Sequence, residues 1–265
     1  MTSARRMELR LNAWRSFRGI ARASRTLAAT QALHWAEHQR RVEAHQAWCV
    51  RIAEHVGASV IDGPRITVAI GTDLGLCGPL NARVADTLRC EAFLPDELRI
   101  VVGERLATEL RDDPSFEQAL GLSVPSSFEA VESTAAEVGL LSGVDPTKTR
   151  LRIVVTSSVE PDGAPRTSVW NAAPRPEPAL PYRNLAALTP QQGLREEAAA
   201  LLWHARLCCA LTRAATSEAE ARWRAMSRAH DAADRKIGEQ EREVRKLRQE
   251  SITQEMLEVR QVRAR

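Results

Sequence analysis

The sequence predicts an α/β domain inserted between two very long terminal helices. Three observations carry this. The first proline is Pro64, and Gly19 and Gly57 are the only glycines before residue 60. After Pro190 there is no proline, and between residues 194 and 265 the only glycine is Gly238. Between these ends lie short β-branched runs, RITVAI (65–70), LRIVVG (98–103) and LRIVVTSS (151–158), of the kind found in buried parallel strands.

The N-terminal helix runs over 8–56, roughly 70 Å at 1.5 Å per residue. Positions 14, 17, 21, 24, 28, 31, 35, 38, 42, 45, 49, 52 and 56 step by three and four and include Trp14, Phe17, Ala21, Trp35, Val42, Cys49 and Ile52. That spacing predicts a coiled-coil seam interrupted by the polar Ser24, Gln31, His38 and His45. The C-terminal helix runs over 194–265. Its first half is apolar (Leu201, Leu202, Leu207, Leu211), whereas Ser227–Arg248 has only Ile237, Val244 and Leu247 as large aliphatics. A helix that polar has no core of its own and is either solvated or enclosed by a partner.

In the insert, helical stretches at 80–91 and 104–112 alternate with the strands, which predicts an α/β layer structure. FEAVE (128–132) is read as a further strand. Six prolines between 161 and 181 demote that stretch to an edge strand and an irregular linker. The division expected is 1–60, 61–184 and 185–265, and charge follows it. Ten Arg against four Glu make the first part basic, 18 acidic against 12 basic residues make the second acidic, and 15 basic against 12 acidic make the third basic.

The longest apolar run, AAALLW (198–203), is six residues, far short of a membrane span. Arginines at 5, 6, 10, 15, 18, 22 and 25 with no apolar stretch exclude a secretory signal. Five cysteines without a CxxC pair read as reduced thiols of a cytosolic protein.

The turn GTDLGLCGPLN (71–81) follows a strand, where phosphate loops sit. Its glycines lead into Pro79 and Leu80 rather than Lys-Ser/Thr, their spacing is not GxGxxG, and Asp73 would repel a phosphate. It reads as a tight strand-to-helix turn, and Cys77 as a small buried thiol. HWAEH (34–38) matches the inverted zincin pattern formally, but His38 is a seam position and no further acidic ligand is identifiable. Of the 37 basic residues 34 are Arg, yet acids interleave with them in GEQEREVRKLRQE (238–250), which favours a protein-facing or solvated helix over nucleic-acid binding.

Two widely separated stretches carry a family resemblance. TDLGLCGPLN (72–81) is similar to the TDRGLCGGLN-like turn of the gamma subunits of F-type ATP synthases, and RQESITQEMLEV (248–259) to the RQxxITQEL-like end of their last helix. MELRLNAWRSFRGIARASRTLAAT (7–30) resembles the family's N-terminal stretch loosely, and TSEAEARWRAMSRAHDAADRKI (216–237) resembles its ASExxARMxAM-like segment. Departures are Leu74 where the family has Arg, Pro79 where it has Gly, Ser24 near a usual Met, and LAALTPQQG (185–193) without the Tyr-Glu-Pro type sequence common there. They mark a divergent member.

The resemblance implies that the terminal helices wrap on each other as an antiparallel coiled coil, forming the central shaft of the enzyme, with the Rossmann-like insert below it beside the epsilon subunit. It implies alpha and beta subunits, an epsilon subunit and a c-subunit ring as partners, with no nucleic acid. The location implied is peripheral, on the cytoplasmic face of a bacterial inner membrane, with no span of its own. No catalytic residue, cofactor or metal is implied on this chain. Arg248, Gln249, Thr253, Gln254 and Glu255 are the implied contacts with beta subunits, and Asp73, Gly75, Cys77, Gly78 and Asn81 the structural residues of the turn. The rival expectation is a coiled-coil adaptor or nucleic-acid binder of similar architecture.

Overall fold

A computed structural model describes residues 3–58, 63–160, 164–171 and 191–263. In chain order these form α1 (Ser3–Val56), β1 (Arg65–Ile70), α2 (Leu80–Arg89), β2 (Leu98–Val102), α3 (Glu104–Leu110), β3 (Leu120–Leu122), α4 (Glu129–Ser142), β4 (Arg150–Val159), β5 (Pro165–Asn171) and α5 (Gln191–Arg263), with a 3-10 turn at Pro114–Phe116. The chain divides into two compact units, one of Met1–Leu27 with Trp223–Arg265, the other of Ala28–Arg222.

The larger unit holds a five-stranded sheet in the order β3-β2-β1-β4-β5. The first four strands are parallel and β5 runs antiparallel to β4 at the edge. The proline-rich stretch therefore contributes an edge strand as expected, while 172–181, and 185–190 of the divergent LAALTPQQG, lie outside the described residues.

Alternation along the strands builds two cores. Ile66, Val68, Ile70, Ile100, Val102, Leu151, Ile153 and Val155 face α4 (Val131, Ala135, Val138) and α5 (Trp203, Leu207, Leu211). Ala69, Val101 and Val154 face α2 and α3, through Leu80, Val84, Leu88, Leu106 and Leu110. Buried on both faces, the strands are continuous apolar runs for that reason. Where α1 meets α5, Cys49, Ala53, Ala198 and Ala205 are small enough to let the backbones approach, with Leu202 filling the space between.

FEAVE is not a strand. It opens α4, because the apolar residues continue at helical spacing through Val131, Thr134, Ala135 and Val138, all buried. Ser127 Oγ accepts the Ala130 N–H at 3.4 Å, Glu129 and Glu132 suit the positive end of the helix dipole, and Gly143 ends it in the left-handed conformation at φ 59°. The short β3 carries no β-branched residue and left no strand signal in the sequence.

The α1 seam is half as expected. Trp14, Ala21, Ala28, Trp35, Val42, Cys49 and Val56 are buried or half-buried, but Phe17, Gln31 and His45 are exposed. Ser24, His38 and Ile52 are half-buried as expected, and the seam widens to the residue after each alternate position: Arg18, Arg25, Ala32, Gln39 and Gln46 are half-buried and Ala53 is buried. Long polar side chains cover the seam with their stems, which an apolar-residue count does not register.

In the smaller unit, Leu11 and Ala21 of α1 and Met226, Ala233, Ile237 and Val244 of α5 are buried. Antiparallel register is shown by three ion pairs, Arg248–Glu8 (2.6 Å), Arg15–Glu241 (2.7 Å) and Arg18–Asp234 (3.0 Å). The described residues include no helix long and apolar enough to cross a membrane.

Candidate functional site

The motif turn is built from the end of β1. A Cβ on Gly71 would lie 2.4 Å from Leu106 Cβ, so only glycine fits where the chain passes α3. Thr72, fully buried, donates its N–H to Asn81 Oδ1 (3.0 Å), and Asn81 Nδ2 donates back to Thr72 Oγ1 (2.9 Å). Thr72 Oγ1 in turn donates to the Leu74 carbonyl at 2.8 Å. Asp73 ties three segments together. Its Oδ1 accepts the Glu104 N–H at the start of α3 (2.9 Å), and its Oδ2 accepts the Val124 N–H (3.1 Å).

Cys77 is buried, 3.7 Å from Thr72 Oγ1, and burial pushes its thiol above the ordinary range despite that hydrogen bond. Gly75 lies near the Arg105 guanidinium, and Gly78 takes φ 66° in open space. Three amides around the turn are engaged: Gly71 N–H goes to the Val102 carbonyl, Thr72 N–H to Asn81, and Arg105 N–H to the Thr72 carbonyl. Pro79 precedes α2 with no N–H to offer. Chemically the turn can brace strands and helices. It also presents Leu74 and Leu76 outward, each 64% exposed, Leu76 in the left-handed conformation at φ 67°.

The second predicted group lies at the end of α5, in the smaller unit. Arg248 Nη2 donates to Glu8 Oε1, and Thr253 Oγ1 donates to the Gln249 carbonyl at 2.8 Å. Gln249, Thr253 and Gln254 are exposed, alongside exposed Ile252, Met256 and Leu257. The side chain of Glu255 lies outside the described residues. This end of α5 therefore presents polar and apolar groups outward rather than a packed seam.

His38 of HWAEH stacks on Phe128 at 4.6 Å, and Trp35 meets the same ring edge-on at 4.6 Å. Among the described residues no group of three His, Cys, Asp or Glu side chains is placed to hold a metal ion.

Two charged clusters went unnoticed in the sequence. At the opposite end of the sheet, the fully buried Glu97 accepts from Arg65 (2.7 Å), Arg152 (2.6 Å), Thr67 and the Leu94 N–H (3.0 Å). Burial pushes its carboxyl up, but these bonds together outweigh it and hold the group below the usual range. On α5, Glu218 pairs with Arg222. Burial drives the Glu218 carboxyl up, Arg222 opposes the rise and Asp73 adds to it. The i,i+4 spacing of Glu218 and Arg222 was the available signal. The Glu97 cluster joins residues from three segments and has none.

The sequence model of the ATP synthase family matches residues 3–261. No curated protein sequence matches the chain. Among solved structures, a rotor chain of Euglena gracilis mitochondrial ATP synthase in rotational state 1 has a TM-score of 0.69 at 15% identity, covering 94% of this chain and 99% of that one. A chain of the OSCP/F1/c-ring part of the same enzyme in rotational state 3 has a TM-score of 0.70 at 16% identity, covering 97% and 92%. One from the central stalk and c ring of Tetrahymena thermophila mitochondrial ATP synthase has a TM-score of 0.57 at 17% identity, covering 79% and 99%. At these identities the structural likeness shows a shared fold.

Proposed function

The chain belongs to the gamma-subunit family of ATP synthases, and from that premise we propose that it is the rotating shaft that couples ion flow through a c ring to ATP synthesis or hydrolysis in beta subunits. It is a central stalk subunit; the rotation, the ion coupling and the individual partners are the proposal. The observation that carries it is the family match running through both terminal helices and the insert. The division into 1–60, 61–184 and 185–265 then has a functional sense: two shaft helices and a domain facing the epsilon subunit and the ring. The site is peripheral to a bacterial inner membrane, on its cytoplasmic face.

A shaft needs no active site of its own. It acts by differential contact, favouring the open state of one beta subunit and the closed state of another as it turns. Arg248, Gln249, Thr253, Gln254 and Glu255 are the proposed contacts, the first four with exposed side chains. The sparse core of α5 beyond residue 223 agrees with this, since an enclosing partner substitutes for a core. The similar mitochondrial chains, from a rotor and from a central stalk with its c ring, support the same partners here.

Thr253→Ala with Glu255→Ala in the assembled complex tests the contact assignment. Loss of ATP-driven ion pumping per ATP hydrolysed is expected, and unchanged pumping and hydrolysis would count against it. Recovery of nucleic acid without alpha and beta subunits on isolating the chain would support the adaptor reading instead.

A further inference from the structure

The two long helices are not equally seated on the sheet. α5 buries Trp203, Leu207, Ala210, Leu211 and Ala214 in the core on the α4 face. Among the described residues α1 brings Trp35 and Val42 to that core, both half-buried, while its buried Cys49 and Ala53 pack on α5 instead. α1 is thus held to the α/β layer largely through α5, and a contact that engages it with the sheet directly carries weight.

Arg213 of α5 makes such a contact. Its Nη2 donates to Glu43 Oε1 on α1, and its guanidinium carbon lies 5.0 Å from the centre of the Trp170 ring on β5. Glu43 Oε1 also accepts from Gln39 Nε2, one turn earlier on α1, at 2.7 Å. Trp170 pairs with Ile153 of β4 and packs against the same core. The contacts therefore run unbroken from α1 through α5 to the edge strand, all within the larger unit. Burial pushes the Glu43 carboxyl up, and the bonds from Arg213 and Gln39 more than reverse it. A guanidinium suits this place because it is flat, offering a face to a ring and edge N–H groups to a carboxylate. Arg213 Nε is buried without a hydrogen-bond partner among the described residues. The group keeps its two contacts and leaves a buried donor unsatisfied, an arrangement that marks a fixed orientation rather than optimal solvation.

We propose that Arg213 is a positioning residue that joins α1 and α5 to the edge strand, so that force on the α/β layer loads both helices together. Glu43, itself held by Gln39, anchors it on α1, and Trp170 anchors it on β5. Without it, force on the layer enters α5 and reaches α1 mainly across the apolar contacts between the helices. The mechanical meaning rests on the shaft reading, but the joint itself is a property of this chain alone.

Four variants of the full chain test it: Glu43→Gln, Trp170→Leu, Arg213→Gln and Arg213→Lys. Hydrogen exchange on the free chain is read at α1 amides 36–46, at β5 amides 167–170, and at α5 amides 228–240 of the smaller unit as a control. Each change is expected to act beyond its own element. Glu43→Gln speeds the β5 amides and Trp170→Leu the α1 amides, each up to about tenfold, with the control unchanged. Arg213→Gln speeds both sets, and Arg213→Lys falls between it and wild type, because an ammonium carries the charge without the flat face. In the complex isolated through the same chain, Arg213→Gln is expected to lose several-fold in ions pumped per ATP while hydrolysis persists, and Arg213→Lys to lose less. Effects confined to the substituted element would overturn the joint. Altered exchange at both elements with unchanged ions pumped per ATP would overturn its part in loading α1. If the wild-type chain brings down no alpha and beta subunits, the shaft reading falls, and the exchange arm still decides the joint. Glu43→Gln guards against misfolding, because it keeps the shape and removes only the charge.

Discussion

Glu97 is the residue on which the far end of the sheet depends. Replacing it with Gln leaves the Arg152 guanidinium, buried among Thr67, Glu91 and the Phe93 ring face, without its main partner. Breaking such a pair costs about 3–5 kcal/mol, to be read from urea denaturation near neutral pH. Because the carboxyl is held below its unfolded value, its contribution is present above the unfolded pKa of about 4 and lost as pH falls through the folded pKa. The gap between wild type and Glu97→Gln therefore narrows in acid. Backbone strain gives two further residue-scale outcomes of opposite sign. Leu76→Gly relieves a left-handed leucine whose side chain is mostly exposed and is expected to stabilise by up to about 1 kcal/mol. Gly103→Ala places a Cβ 2.7 Å from the Thr72 nitrogen at φ 116° and is expected to destabilise by about 2 kcal/mol or more. Thermal melts of the two variants separate these signs. None of this was readable from sequence, where Glu97 is one acid among many and Leu76 an ordinary loop leucine.

At the scale of elements, the sequence was informative wherever a signal was local. Absence of proline bounded α1 and α5 to within a few residues, and three β-branched runs located β1, β2 and β4. FEAVE failed because five residues do not distinguish the start of a helix from a strand. The period appears only when Ala135 and Val138 are read with it. The α1 seam failed at Phe17, Gln31 and His45, and arginine and glutamine stems one residue later serve as apolar cover. The joint of α5 with α1 and the sheet edge was invisible, since nothing in LTRAATS (211–217) tells what Arg213 faces. Trp203 measures how firmly α5 is seated. Its ring packs against Gly139 of α4 while its Nε1 is buried without a hydrogen-bond partner among the described residues. Trp203→Ala is expected to cost about 3–5 kcal/mol. Trp203→Phe, which removes the unpaired donor and keeps most of the ring, is expected to cost clearly less by the same denaturation assay.

For the whole molecule, charge and family membership point the same way. The smaller unit carries 18 Arg and Lys against nine Asp and Glu, while the chain as a whole has a net charge of only +3. A basic, thinly cored coiled coil suits an enclosing protein surface rich in carboxylates, and its association is expected to weaken with salt. The two motifs that suggested the family were short and far apart, and they sufficed because they occur in order on the right elements. The roles of the individual polar residues at the end of α5 were not legible, because the groups proposed to meet them belong to other chains.

Rotation is the central claim, and the chain offers a handle for seeing it. Of its five cysteines Cys90 is exposed and the other four are buried, with Cys208 and Cys209 pushed by burial to about 12 and about 11. A rod coupled through Cys90, in the complex fixed to a surface by its beta subunits, reports the motion of this chain directly. Stepwise turning in one direction on addition of ATP is the result expected. A rod that stays still while the same complexes hydrolyse ATP would contradict the account.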